Sequence, residues 1–293
     1  MDQFFYSPYR LIFKHSLQAR EGALLRVVDD NGNIGYADCH PWVELGDLPL
    51  SAQLSSLRQG KLTPLLKRSL YFATLDRNAR AERVNLFQDI VIPKSHALSM
   101  DPSHPVDLDG FTHLKIKVKK DVKLPKGVRL RLDFGSRLSP KECEEFLSAN
   151  DLTDIEFLED PTPYSSKWSQ IQQQYKVNFA RDFGSEKGAN APFLVIKPAV
   201  QEVDPFLKGD HQLVVTSYLD HPIGQLAAAY TAALLSEKTG RVSICGLVSH
   251  EVYQKSSFSE KLSRNGPRLI PPQEGYGFGF DEELTSLSWI PLS

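Results

Sequence analysis

The spacing of apolar and polar residues changes rhythm along the chain. FFYSPYRLIF and ALLRVVDD alternate or cluster apolar residues, as strands with one covered face do. Asn31 and Gly32 in DDNGNIGYAD supply a tight turn, so residues 5–45 are predicted to form antiparallel strands. From Leu50 to about Val84 apolar residues recur at spacings of three and four among good helix formers. Helices are predicted there, with Pro64 marking a break or a fresh first turn. After Val91 short apolar runs such as THLKIKV, VRLRLDF, DIEFLED, PFLVIKP, QLVVTSY and VSICGLV alternate with amphipathic or loop segments. Strand and segment in alternation imply parallel strands joined by crossovers. SPKECEEFL has the start signals of a helix: Ser139 as cap, Pro140 first and Glu142 third. From about Ser256 the pattern weakens, and EGYGFGFDEELTSLSWIPLS reads as loop and strand.

A closed parallel α/β barrel is the simplest architecture for so many units, and it brings the carboxyl ends of its strands to one pocket. An open doubly wound sheet would gather such groups at a single switch point instead. Five consecutive runs place charge at or near their ends: LKIKV (Lys115, Lys117), LRLDF (Asp133), IEFLED (Glu159), NFARDF (Asp182) and LVIKPA (Lys197).

Asp133, Glu159 and Asp182 are hard oxygen donors that together suit Mg²⁺, with Mn²⁺ as an alternative. Each alone reads as a strand-end carboxylate that pairs with a lysine or caps a helix; the ordered set is what points to a site. Lys115 and Lys117 are two apart on a strand and point the same way. Inside a barrel, like charge and burial would both lower lysine pKa, making Lys117 a usable base. On the outside they would form a solvated basic face continued by Lys119 and Lys120. Lys197 lies in an apolar strand and needs a partner or a pocket. Thr216, Ser217, Tyr218 and Ser249 offer hydroxyls at the ends of later runs as substrate contacts.

Composition narrows the partners. The 293 residues are 41% hydrophobic and 24% charged, ordinary for a globular enzyme, and the formal charge is −2. Neither nucleic acid nor an anionic membrane is an expected partner, and no stretch is apolar and long enough to span a bilayer. Three scattered cysteines, Cys39, Cys143 and Cys245, fit free thiols in a reducing compartment, so a cytoplasmic location is expected. The oligomeric state stays open.

Taken in order, LKIKV, RLD, FLEDP, ARD and VIKPA resemble the barrel motifs of the enolase superfamily, muconate-lactonising subgroup. The resemblance implies a modified TIM-type (β/α)7β barrel over residues 96–255. An α+β cap would be formed by residues 1–95 and the returning tail, 256–293. It also implies a small-molecule carboxylate substrate, with Lys117 as acid/base, Lys115 as its helper and Lys197 on the opposite side. Arg20 in the cap would meet a second substrate carboxylate. Dehydration through an enediolate is the expected reaction. Racemisation or epimerisation with two lysine bases, and a barrel that binds an anionic metabolite without catalysis, are the alternatives. Gly135 stands where family members carry Asn. The gaps Lys117–Asp133 and Asp182–Lys197 are short for a crossover helix, predicting a trimmed barrel.

Overall fold

The computed structural model describes residues 2–16, 18–104, 106–118 and 124–292. β1 (Gln3–Ile12), β2 (Ala19–Val28) and β3 (Ile34–Cys39) form an antiparallel meander, as their alternation predicts. The β2–β3 turn is built by Asp29, whose Oδ1 accepts the backbone N–H of Asn31 and Asn33, with Gly32 at φ +80°. Two helices follow, α1 (Leu50–Arg58) and α2 (Pro64–Ala81). Pro64 opens α2 at its first position, and the Thr63 hydroxyl accepts the N–H of Leu66. α2 presses on β3 at Gly35, where any Cβ would run into the carbonyl of Ala73 and into Arg77.

The second part is a curled sheet of seven parallel strands in chain order: β4 (Ala97–Ser99), β5 (His113–Lys117), β6 (Arg129–Asp133), β7 (Ile155–Glu159), β8 (Phe179–Arg181), β9 (Phe193–Ile196) and β10 (Gln212–Val215). The predicted run VSICGLV closes it through single bridges, Leu213–Val242 and Thr216–Gly246 on one side and Ser95–Cys245 on the other. It forms no regular strand. One cause is Arg131, fully buried inside the barrel, whose guanidinium takes the Ile244 carbonyl out of the ladder at 2.5 Å. A register shift between Leu130 and Arg131 gives β7 an extra residue, Glu156, whose carboxylate pairs with Arg131 at 2.5 Å.

Among the described residues three α-helices cover the barrel. They are α3 (Pro140–Ala149), with the predicted Ser139–Glu142 capping box, α4 (Lys167–Tyr175) and α5 (Pro222–Thr239). Between Asp182 and Lys197 there is one 3-10 turn at Ser185–Lys187, in keeping with the short gap. The tail carries α6 (Ser257–Glu260), the hairpin β11 (Ser263–Asn265) with β12 (Arg268–Ile270), α7 (Asp281–Ser286) and β13 (Ile290–Pro291). β13 pairs antiparallel with β1, so the chain ends on the sheet with which it began. Asp76 of α2 fixes this return, accepting the N–H groups of Phe278 and Tyr36 at 2.7 and 2.9 Å.

Candidate active site

Five adjacent strands deliver one charged group or pair each, in the order Lys, Asp, Glu, Asp, Lys. The parallel register sets Lys117, Asp133 and Glu159 level across β5, β6 and β7. Asp182 and Lys197 follow directly on β8 and β9. With the closing segment counted as an eighth strand, β5 and β9 lie four places apart in the ring. The lysines therefore face each other across the barrel, with the acids on the arc between them. Below, Phe157, Ala180, Phe193, Val195 and Val214 fill the interior and make a dry floor.

The three carboxylates divide between two ammonium groups. Lys115 Nζ lies 2.7 Å from Glu159 Oε1 and 3.2 Å from Asp133 Oδ2, and Lys197 Nζ pairs with Asp182. Among the described residues no three Asp, Glu, His or Cys side chains form a ready cation cage on their own. The donor set nonetheless fits a hard divalent cation, with three oxygen-bearing groups on neighbouring strands that sense one another's charge. Burial raises the Glu159 pKa to about 7; Lys115 works against this rise, while Asp133 and Asp182 add to it. Burial also opposes ionisation of Asp133, yet Lys115, Lys117 and Lys197 together hold its carboxyl below the ordinary range.

The two lysines of β5 differ sharply. Burial disfavours the Lys115 ammonium, but Asp133, Glu159 and Asp182 more than compensate, and its pKa is raised. Lys117 has no ion-pair or hydrogen-bond partner among the described residues. Burial, with Lys115 and Lys197 nearby, draws its pKa down despite Asp133. Lys119 and Lys120 lie outside the described residues.

One cavity is lined by Lys115, Lys117, Asp133 and Lys197, and by Thr216, Ser217, Tyr218 and Ser249 from the later strand ends. Thr216 Oγ1 is buried with no hydrogen-bond partner among the described residues. Ser217 donates to Ser249 at 2.6 Å, and Ser249 to Gln225 at 3.2 Å. The Tyr218 hydroxyl donates to Asp47 of the cap at 3.0 Å. Arg20 lines neither this cavity nor the adjoining one; it pairs with Glu44 at 2.6 Å and stacks on Trp42.

Three further residues belong to the site. Trp42 and His96 line the cavity. The His96 Nδ1 lies 3.1 Å from Arg131, and burial, reinforced by Arg131, keeps its pKa well below the ordinary value, so the ring is neutral and accepts that N–H. Asp160 accepts the backbone N–H of Asp182 and of Phe183 at 3.2 and 2.9 Å. It is 2% exposed, buried behind Asp182. Its place just after a predicted ligand was the one available signal; nothing in the sequence singled out Trp42 or His96.

The fold recurs in solved structures. A mandelate racemase/muconate lactonizing enzyme from Roseiflexus sp. superposes with a TM-score of 0.75 at 12% identity, covering 94% of this chain and 96% of that one. A dipeptide epimerase from Enterococcus faecalis, solved with Mg and the dipeptide L-Leu-L-Tyr, gives 0.75 at 16% identity, covering 94% and 98%. A capped parallel barrel is thus the fold that this chain shares with the mandelate racemase/muconate lactonizing enzyme and the dipeptide epimerase. A family model described as O-succinylbenzoate synthase, N-terminal domain, matches residues 4–79. The o-succinylbenzoate synthase of Bdellovibrio bacteriovorus is 36% identical over an alignment of 323 positions, gaps included, spanning 98% of both chains. The chain belongs to the o-succinylbenzoate synthase family and is a lyase.

Proposed function

We propose that this protein dehydrates 2-succinyl-6-hydroxy-2,4-cyclohexadiene-1-carboxylate to 2-succinylbenzoate and water, a step of menaquinone biosynthesis. The observation that carries the reading is the contrast on β5: Lys115 is locked as a cation, while Lys117 is half-buried, without an ion-pair or hydrogen-bond partner among the described residues, and lowered in pKa. Neighbouring groups whose environments push their pKa values apart mark an acid/base assignment. Neutral Lys117 takes the proton from the carbon bearing the carboxylate, and the electron pair moves into the carboxylate, giving an enediolate. The same Lys117, now an ammonium, returns that proton to the departing hydroxyl, which leaves as water while the ring becomes aromatic.

Lys115 stays charged beside the carboxylate. Lys197 places positive charge on the far side of the ring system, where a cation and a π-face attract. A divalent cation held by Asp133, Glu159 and Asp182, Mg²⁺ or in its place Mn²⁺, would supply concentrated positive charge opposite the substrate carboxylate. Thr216, Ser217 and Ser249 supply hydroxyls to the substrate's oxygens. A larger cavity of about 610 Å³ shares Leu98 and Val248 with the catalytic one and gives room for the succinyl arm.

Residues 1–95 and 256–293 would serve as the cap, and 96–255 as the catalytic barrel. Three buried free cysteines support a cytoplasmic setting. No helix among the described residues is long and apolar enough to cross a membrane.

Lys117→Ala tests the assignment. Turnover of the cyclohexadiene substrate should drop by about a thousandfold, within the range lost with a general base, while circular dichroism stays unchanged. Near-normal turnover by a folded variant would overturn the mechanism.

A further inference from the structure

We propose that Trp42 of the cap is a substrate-contacting wall that selects a flat conjugated ring beside Lys117. This deepens the dehydratase reading above and rests on it. Trp42 is 7% exposed, yet it belongs to none of the hydrophobic clusters that make up the core. Its recorded ring neighbours are polar or charged: Arg20, Lys117, His40 and Tyr218. A buried indole outside the core has apolar surface to offer elsewhere, and the cavity it lines is the one containing Lys117, Asp133 and Lys197.

The indole is also held in place. Its Nε1–H donates to the Tyr218 carbonyl at 2.6 Å. Its backbone N–H donates to Asp47 Oδ2 at 2.9 Å, the same oxygen that receives the Tyr218 hydroxyl. The Arg20 guanidinium lies 3.7 Å from the ring centre and is fixed by Glu44. Arg20 does not line the cavity; Lys117, 5.8 Å from the same ring centre, does. A rigid aromatic plane is thus set beside the proposed base from across the cap–barrel seam. Such a plane favours a planar diene or benzene ring and loses little entropy when one binds.

Titrating the product 2-succinylbenzoate into the Mg²⁺-loaded protein, with tryptophan emission and calorimetry as readouts, tests this. The chain has three tryptophans. Trp168 is sealed in α4, Trp289 packs on Tyr36, and neither lines the cavity. Wild-type emission should change along the binding isotherm. In Trp42→Phe the change should vanish while binding persists. KM should rise by about twofold to tenfold, the range of an aromatic contact, with kcat changed less. Trp42→Ala should raise KM further.

A wild type that binds product with silent emission overturns the proposal without any variant. Retention of the signal in Trp42→Phe, or an unaltered KM in Trp42→Ala, overturns it too, and Trp42→Tyr carries the comparison should Trp42→Phe fail to fold. A wild type that neither turns over substrate nor binds product overturns the proposed reaction itself, and the wall with it. Turnover with a silent Trp42 overturns the wall alone.

Discussion

Lys115 and Lys117 project from one face of β5, yet among the described residues only Lys115 is ion-paired, to Glu159 at 2.7 Å and to Asp133 at 3.2 Å. Lys115 therefore does two jobs: its charge adds to burial in lowering the pKa of Lys117, and it compensates the buried Glu159 and the half-buried Asp133. Removing one partner of a buried charge group leaves the other uncompensated.

Lys115→Met should therefore destabilise the metal-free protein by about 3 kcal/mol or more. Added Mg²⁺ should recover more stability in the variant than in the wild type, because Asp133 and Glu159 have then lost their nearest positive charge. Thermal melts in chelator and in excess Mg²⁺ measure both quantities. Equal Mg²⁺ increments in the two proteins would count against a shared carboxylate site.

Asp160 acts on Asp182 through the backbone. Its carboxylate receives two consecutive N–H groups and sets where the chain leaves β8. Burial, the Asp182 charge and nearby Glu159 push its pKa to about 8, with the Phe183 N–H opposing. Asp160→Ala should raise the Mg²⁺ concentration for half-maximal activity by about tenfold or more, as for groups that orient metal ligands. Asp160→Asn, which keeps an acceptor oxygen, should fall between the two. A Mg²⁺ titration of initial rates decides.

The seam between cap and barrel contains a second pair of acids, Asp38 after Tyr36 on β3 and Asp220 before α5. Both crowd one point: a Cβ on Gly224 would lie 2.6 Å from Asp38 Oδ2 and 2.5 Å from Asp220 Oδ2. Around them stand Tyr9, whose hydroxyl donates to Asp38, the neutral rings of His40 and His221, Cys39 and Tyr253. Burial raises the Asp38 pKa to about 7, against the hydrogen bonds from Tyr9 and from the His221 and Cys39 backbone. Burial and then Asp38 raise Asp220 well above its usual value.

An acid raised in the folded state stabilises while protonated, and that stability is lost as pH climbs through the folded pKa. The buried histidines act oppositely, their contribution being lost only as pH falls below about 6.5. Between pH 6.5 and 8.5 the raised acids should lower Tm as pH rises, while Lys117, whose pKa is drawn down, acts in the opposite direction. Asp220→Asn should flatten that slope. A slope identical in wild type and variant would show that this pair does not titrate there.

The charged strand ends could be foreseen because a period of two fixes which face each residue takes, and each short run ends at its charge. Lys115, Lys117, Asp133, Glu159, Asp182 and Lys197 gather for that reason. The trimmed crossover after Asp182 followed from counting residues. The partners of those groups were hidden, because they depend on contacts between distant segments. Trp42 meets Tyr218 across 176 positions, and Tyr218 meets Asp47 across 171. Arg20, expected at a substrate carboxylate, pairs with Glu44 and lies over the Trp42 ring, both more than twenty positions away in the chain. Asp160 turns inward on a left-handed backbone, φ +40°, that no local pattern announces.

Thr216 separates binding from folding most cleanly. Its Oγ1 is buried without a hydrogen-bond partner among the described residues, facing the cavity at the end of β10. An unsatisfied buried hydroxyl costs stability, so exchanging it for a methyl of like shape is neutral or favourable to the fold. If the hydroxyl instead meets a substrate oxygen, that exchange weakens substrate binding by about fivefold to tenfold, the net worth of one hydrogen bond. Thr216→Val should therefore keep or raise Tm while KM for the cyclohexadiene substrate increases and kcat changes little. Thr216→Ser, which restores the hydroxyl, should recover KM. A fall in Tm with an unchanged KM would mean that Thr216 serves packing against Gly246, with which it forms the closing bridge, and does not touch the substrate.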